Sequence, residues 1–446
     1  MKMTTAQRVA YLGGAFSLGI YSAFNNYTMA LWLTSVTSSY ALISLLGNSR
    51  SIEGAVVSPA VGFLSDHTWL GWLGRRRPFI LVGGLTSAAL IAATPTIGRL
   101  PLLAALDISA STAQLVLIVV TIVLFTVTFN MADDVHKALR ADLVQDAELN
   151  ILSSVATVVE LASQVGLLVL GFLVWTNGIP DSAFVLVGAL VALGVLATVL
   201  GVREPPPEVW MERGAESKEE SRGRLPALAF LRQYRGAFMF CLVALAYWSG
   251  VNAVLPLLTI YVRDILGTNE GEAQLLPGLL LLSTTLFAIP AGWLATRIGK
   301  KRVLAAGYAV MAAGAVVGLL ITTKEQGAVL FFAAGIGNAA TVLSIPIMAD
   351  LVPRQHMGVA TGLLAAAGSI AAPAASLVAG GLSEIYGPRV IFAVMAVSVV
   401  IAIALLPTVR PPATIAVEDE SMRQPPESPV GPDGTPAVLQ PAERSD

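Results

Sequence analysis

Charge is scarce in this chain. Only 13% of its 446 residues are Asp, Glu, Lys or Arg, roughly half the share in a soluble globular domain. With 55% hydrophobic residues and a mean hydropathy of +0.74, a water-soluble enzyme and a disordered protein are both poor fits. The formal net charge of −2 supplies no basic field for nucleic acid to follow. Cysteine is nearly absent. Cys241 alone, within the apolar run FMFCLVALA, excludes an internal disulfide framework and a cysteine-rich metal site, and reads as a small buried hydrophobe. Catalytic patterns are missing too: no P-loop G-x-x-x-x-G-K-[ST], no H-E-x-x-H and no nucleophile elbow in a strand–helix setting. The expectation is a protein that is not an enzyme, with no cofactor and no metal.

What is present is apolar length. A bilayer-crossing helix needs roughly 20 mostly apolar residues, and about twelve such stretches can be counted. They fall near 9–34, 40–64, 78–98, 113–139, 150–175 and 182–202, then near 237–262, 273–296, 303–323, 327–350, 358–382 and 389–407. The start MKMTTAQRV runs straight into the first of these, which reads as an uncleaved helix rather than a signal peptide. The expected architecture is an all-α integral membrane protein of two six-helix bundles, 1–202 and 237–410. A charged linker, 203–236, joins them, and a Pro/Glu/Ser-rich disordered tail covers 411–446. Lys and Arg cluster after span 2 (Arg75, Arg76, Arg77), after span 8 (Arg297, Lys300, Lys301, Arg302) and in the linker. Arg99, Arg263, Lys324 and Arg389 fall on the other side. This bias predicts both termini cytoplasmic, in a cell (plasma or inner) membrane.

The two halves echo each other. GFLSDHTWLGWLGRRRPF follows span 2 and GWLATRIGKKRV follows span 8; ALRADLVQDAELN follows span 4 and IMADLVPRQHMG follows span 10. Halves related along the membrane normal are a transporter architecture, with solute held between them near the midplane. On these residues the sequence resembles the major facilitator superfamily. Its first-half signature is Gly62, Asp66, Gly74 and Arg75–Arg77, and the second copy is Gly292, Arg297, Gly299 and Lys300–Arg302. The resemblance implies a cytoplasmic latch in which Asp66 pairs with the arginines, joined by Asp142 and Asp350. The string PAVGFLSDHTWLGWLGRRRPFI, from Pro59 to Ile80, and HKALRADL, containing Arg140, are similar to the sucrose:proton and glycoside–pentoside–hexuronide symporters. That likeness implies solute contact at Lys137 and a proton-carrying acid at Asp133. Ser58 and Gly54 stand where relatives have acids, leaving the usual sodium site incomplete and favouring protons.

Ionisable residues inside a membrane are expensive and usually functional. Glu53 lies about 20 Å from the end of span 2, with Arg50 one turn further out where the two can pair. Asn130, Asp133 or Asp134, and Lys137 share a face of span 4. Glu160 enters span 5, with Gln164 one turn on. The second half has no charge in its membrane interior, so proton coupling is expected from the first half alone, at Asp133, Asp134, Glu53 or Glu160. Solute contacts are expected from Arg50, Lys137, Asn130, Gln164, Asn25 and Asn26, and from Tyr247, Trp248, Asn252 and Asn338 across the cavity. The reading is a proton-coupled secondary transporter, functional as a monomer, for a sugar or glycoside. Two alternatives stand beside it: a carrier of a non-sugar drug or metabolite, and a non-transporting assembly factor.

Overall fold

The computed structural model describes residues 3–66, 68–101, 109–144, 146–204, 230, 232–353 and 356–410. Within those, the side chains of 51–56, 58–59, 146–147 and 150 lie outside the description. Most of the linker and the whole tail fall outside it as well. The described chain is helical almost throughout: α1 Thr5–Ala23, α2 Met29–Leu33, α3 Tyr40–Gly47, α4 Ser49–Asp66, α5 Arg77–Ile97, α6 Ala110–Leu143, α7 Asp146–Val174 and α8 Asp181–Gly201 come first. The second half holds α9 Arg235–Val254, α10 Leu258–Leu266, α11 Glu270–Ile298, α12 Lys300–Gly318, α13 Lys324–Ala339, α14 Ser344–Ala349, α15 Met357–Tyr386 and α16 Val390–Leu405. Among the described residues, 10 helical segments are long and apolar enough to cross a membrane. The first two expected spans are instead assembled from pieces, α1 with α2 and α3 with α4. The protein is a multi-pass membrane protein.

Helix starts follow local chemistry. Thr4 with Gln7, Asn269 with Glu272 and Thr323 with Gln326 form reciprocal capping boxes for α1, α11 and α13. Breaks matter more for the site. The first span passes through a π-helical turn, Phe24–Thr28, between α1 and α2; such turns are frequent at functional sites. The seventh span breaks at Leu255–Leu257, where Pro256 has no N–H to give, and the tenth at Ala340–Leu343.

The sequence echo is a structural repeat. In the first half α1 packs on α8 and α7, α5 on α8 and α6, and α4 on α6; in the second α9 packs on α16 and α15, α12 on α16 and α13, and α11 on α13. Each pairing has its counterpart six spans later. Small residues allow the closest approaches, as expected where lipid offers no hydrophobic drive between helices. A Cβ on Gly83 would sit 2.6 Å from the Thr128 carbonyl oxygen on α6, and one on Gly307 2.6 Å from that of Gly337 on α13.

The halves meet through α3 and α4 on α15 and through α7 on α11. Polar contacts between them cluster at the end opposite the arginines. Glu384 accepts from Ser39 Oγ (2.6 Å) and the Ala41 N–H (3.3 Å), Arg263 donates to Thr34 Oγ1 (2.9 Å), and Thr28 donates to Gln274 (2.7 Å). Nearer the middle, Asn48 donates to Ser376 Oγ (2.6 Å) and the Asn252 carbonyl (2.9 Å). Cβ atoms added at Gly62, Gly292, Gly358 or Gly362 would meet nothing within 4 Å, and Phe63 and Trp293 are exposed.

Candidate functional site

The centre of the first half is an ion network built across helices. Asp133 lies about 15 Å from the end of α6 and is buried. One of its oxygens, Oδ2, takes a short contact from Arg50 Nη2 of α4 and another from Lys137 Nζ, one turn along α6, at 2.8 Å. Arg50 is fixed further: Nε donates to Asn130 Oδ1 and Nη1 to Ser22 Oγ, both at 3.2 Å, while Asn130 Nδ2 donates back to the Arg50 carbonyl at 3.0 Å. The guanidinium also lies over Tyr21 (5.9 Å) and Phe129 (5.8 Å). Two cations thus share one carboxylate. Lys137 is half exposed, Asp133 only 2%, so the lysine reaches the surface and the acid sits behind it. Removing one partner of such a group is expected to cost about 3–5 kcal/mol, although the pair itself adds little net stability.

Of the remaining first-half candidates, Glu160 and Gln164 pair on α7, Gln164 Nε2 to Glu160 Oε1 at 3.4 Å. Asn26 and Gln164 reach the cavity. Asn25, beside it in the π turn, is fully buried and donates to the Gly47 carbonyl at 3.1 Å, which ties α1 to α3. Asp134 is half-buried on α6. The side chain of Glu53 lies outside the described residues, and Arg50, expected beside it, is held by Asp133.

The second half faces this network with an uncharged wall. Asn26, Gln164, Trp248, Leu280, Phe331 and Asn338 are among the side chains around a cavity of about 230 Å³. Tyr247 is buried against Tyr308 and donates to Asn338 Oδ1 at 2.6 Å, while Asn338 Nδ2 donates to Thr284 at 3.3 Å. Tyr247 therefore orients Asn338 from behind the wall. Asn252 donates to the Trp248 carbonyl at 2.8 Å, and its own carbonyl is the acceptor for Asn48. Among the described residues no group of three or more His, Cys, Asp or Glu is placed to hold a metal ion.

At the arginine end the signature assembles as a cluster. Arg76 holds Asp66 (2.7 Å) and Asp142 (3.0 Å); Arg75 holds Asp142 (2.6 Å) and Asp66 (3.4 Å). The second copy is thinner. Lys300 pairs with Asp350 at 2.6 Å, and Arg297 lies over the Trp293 ring at 3.9 Å. Arg140 is in the last turn of α6. Gly62 and Gly292 keep the helix faces bare, and Gly74, at φ +77°, makes the turn that an L side chain rarely adopts.

One member escaped the sequence reading. Glu204, three residues past α8, accepts the backbone N–H groups of Arg75 (2.8 Å), Arg76 (2.9 Å) and Arg77 (2.8 Å). Its carboxylate plugs the positive N-terminus of α5 and pins the start of the linker to the signature loop. The available signal was a helix start with three free N–H groups and no acidic cap of its own.

The chain thus consists of two paired halves with a doubled signature at one end. Residues 240–440 match the family model described as Major Facilitator Superfamily. The inner membrane transport protein YajR of Escherichia coli (strain K12) is 33% identical over 107 residues, which is 24% of this chain and 23% of that protein. The chain thus matches less than a quarter of that relative's length. Among solved structures, a D-xylose-proton symporter superposes with a TM-score of 0.70 at 16% identity, covering 90% of this chain and 96% of that one. A point mutant of the nucleoside transporter NupG gives 0.67 at 13% identity, over 90% and 99%. The likeness shows the fold: over 90% of its length this chain shares the fold of those two proteins.

Proposed function

We propose that the protein is a proton-coupled secondary transporter that moves a small solute by alternating access, working as a monomer because one chain supplies both halves of the cleft. The carrying observation is the Arg50–Asp133–Lys137 network on the cleft wall. Protonation of Asp133 neutralises the negative charge that two cations share, freeing the half-exposed Lys137 and loosening Arg50. That turns the wall from a self-satisfied ion group into one that engages solute. Glu160, on the neighbouring helix, is the second carboxylate able to take part. The arginine end is the cytoplasmic one on the positive-inside rule, and the hydrogen bonds that join the halves at the other end and in the middle support an inward-open reading of this conformation.

The solute reading is a sugar or glycoside. It is supported by the Pro59–Ile80 string, by the density of hydrogen-bonding groups at Asn26, Gln164, Asn130 and Lys137, and by the fold shared with a xylose–proton symporter. The test is external pH in proteoliposomes at zero membrane potential while disaccharides, glycosides and hexoses are added. Alkalinisation with one of them supports symport; a flat trace with folded protein overturns the assignment.

A further inference from the structure

The cavity does not stay between the halves. Its deep part runs into the second bundle, where Met311 and Ala315 of α12, Phe331 and Ala334 of α13, and Phe392 and Met395 of α16 form its walls. Helix α12 packs on α11, α13 and α16, and α16 on α9, α12 and α15, so this is the interior of one half rather than the shared cleft. Packed interiors leave few voids larger than a water. A buried water needs two to four polar partners, and an apolar cavity of this kind stays dry and takes apolar ligands instead. None of the lining side chains is charged. Asn338, the amide of the second-half wall, is already engaged by Tyr247 and Thr284. The two methionines are adaptable packers that suit a variable guest. The cavity's amide groups are Asn26 and Gln164, which reach in from the first half at the mouth, and the engaged Asn338.

We infer that this recess is a subsite for the apolar part of an amphipathic, neutral solute, an aromatic or branched aliphatic group whose hydrogen-bonding head is held at the mouth by Asn26 and Gln164. Naming the guest as the solute rests on the transport reading above; the recess itself does not. A bare hexose, with hydroxyls all round, leaves the recess empty, whereas a glycoside with an apolar aglycone fills it.

The test uses the full chain in lipid nanodiscs and a small apolar carbene precursor, trifluoromethylphenyl diazirine, with labelled residues mapped by mass spectrometry. Ile289 and Val329, 82% and 72% exposed on the bundle surface, report lipid-side labelling and normalise the signal. The expected result is labelling of Met311, Phe331, Phe392 and Met395, all under 9% exposed, at levels comparable to Ile289. Millimolar indole lowers that internal labelling at least fivefold and glucose does not. Ala334→Phe, which fills the recess, removes it while Ile289 and Val329 stay labelled. Internal residues at background beside a labelled Ile289 overturn the subsite, as does labelling that indole leaves unchanged or that glucose suppresses equally. Those wild-type arms stand even if Ala334→Phe fails to fold. Solute-driven pH change is read separately. Internal labelling without any such change keeps the recess and removes the transport reading, and the reverse pattern does the opposite.

Discussion

Arg50 and Asp133 stand 83 positions apart in the chain and meet in the middle of the first half, tying α4 to α6. Neither residue alone specifies a proton site. Together with Lys137 they make a carboxylate whose charge state decides whether two cations are occupied. Asp133→Asn keeps the shape and a hydrogen-bond acceptor but cannot gain or lose a proton. The variant is expected to reach only equilibrium levels in gradient-driven uptake while retaining solute exchange across proteoliposomes. Undiminished accumulation against a gradient would move the coupling role to Glu160.

Glu204 predicts a different phenotype. Three backbone N–H groups at the start of α5 lose their acceptor in Glu204→Ala, each bond to a charged group contributing a net ~1.5–3 kcal/mol. Unfolding in detergent should shift down by several degrees, and Glu204→Gln, which keeps one acceptor oxygen, should fall between. Solute affinity should hold, because the residue is far from the cavity. Thermal denaturation indistinguishable from wild type in Glu204→Ala would contradict the capping role.

The two acids of the arginine cluster are not equivalent. Asp142 is 19% exposed and bonds both arginines within 3.0 Å; Asp66 is 48% exposed. Screening by water limits exposed pairs to about 0–1 kcal/mol, so Asp142→Asn should slow turnover and lower thermal stability more than Asp66→Asn. Parallel uptake and melting measurements check the order, and the reverse order would show that Asp66 acts through a partner in another conformation.

Much of this was legible in the sequence, and the rest was hidden for a physical reason. Apolar length gave the helices, and the doubled loop strings gave a repeat that reappears as matched helix pairings. The Asp133–Lys137 contact follows from one-turn spacing, and the Asp142 and Asp350 pairs from helix ends beside basic loops. Arg50 was expected near Glu53 on its own helix, because spacing reveals only local partners; its contact with Asp133 depends on how α4 crosses α6. Glu204 bonds backbone groups 127 to 129 positions away, so the uncapped start of α5 marks the need for an acid but not which one fills it. The ion pairs of the arginine cluster, among Asp66, Arg75, Arg76 and Asp142, all lie within one half and do not cross to the other.

The opposite end is held by contacts that do cross halves, and there a single change should shift the conformational balance. Glu384 of α15 accepts from the Ser39 hydroxyl and the Ala41 N–H at the start of α3, so it caps a first-half helix from the second half. Glu384→Ala removes both bonds only in the state closed at this end, and a perturbation that acts on one state shifts the population toward the other. The carboxylate is solvent-exposed, so the shift should be modest. With Cys241 replaced by alanine and a reporter cysteine at Trp248 on the cleft wall, an impermeant maleimide added from the Glu384 side should label about two- to fivefold faster in the variant. Ser39→Ala, which leaves the Ala41 bond, should give a smaller increase in the same assay. Equal labelling rates in all three proteins would mean that closure at this end is set by the apolar packing of α3 on α15, where Gly380 lies against Ala41, and not by Glu384.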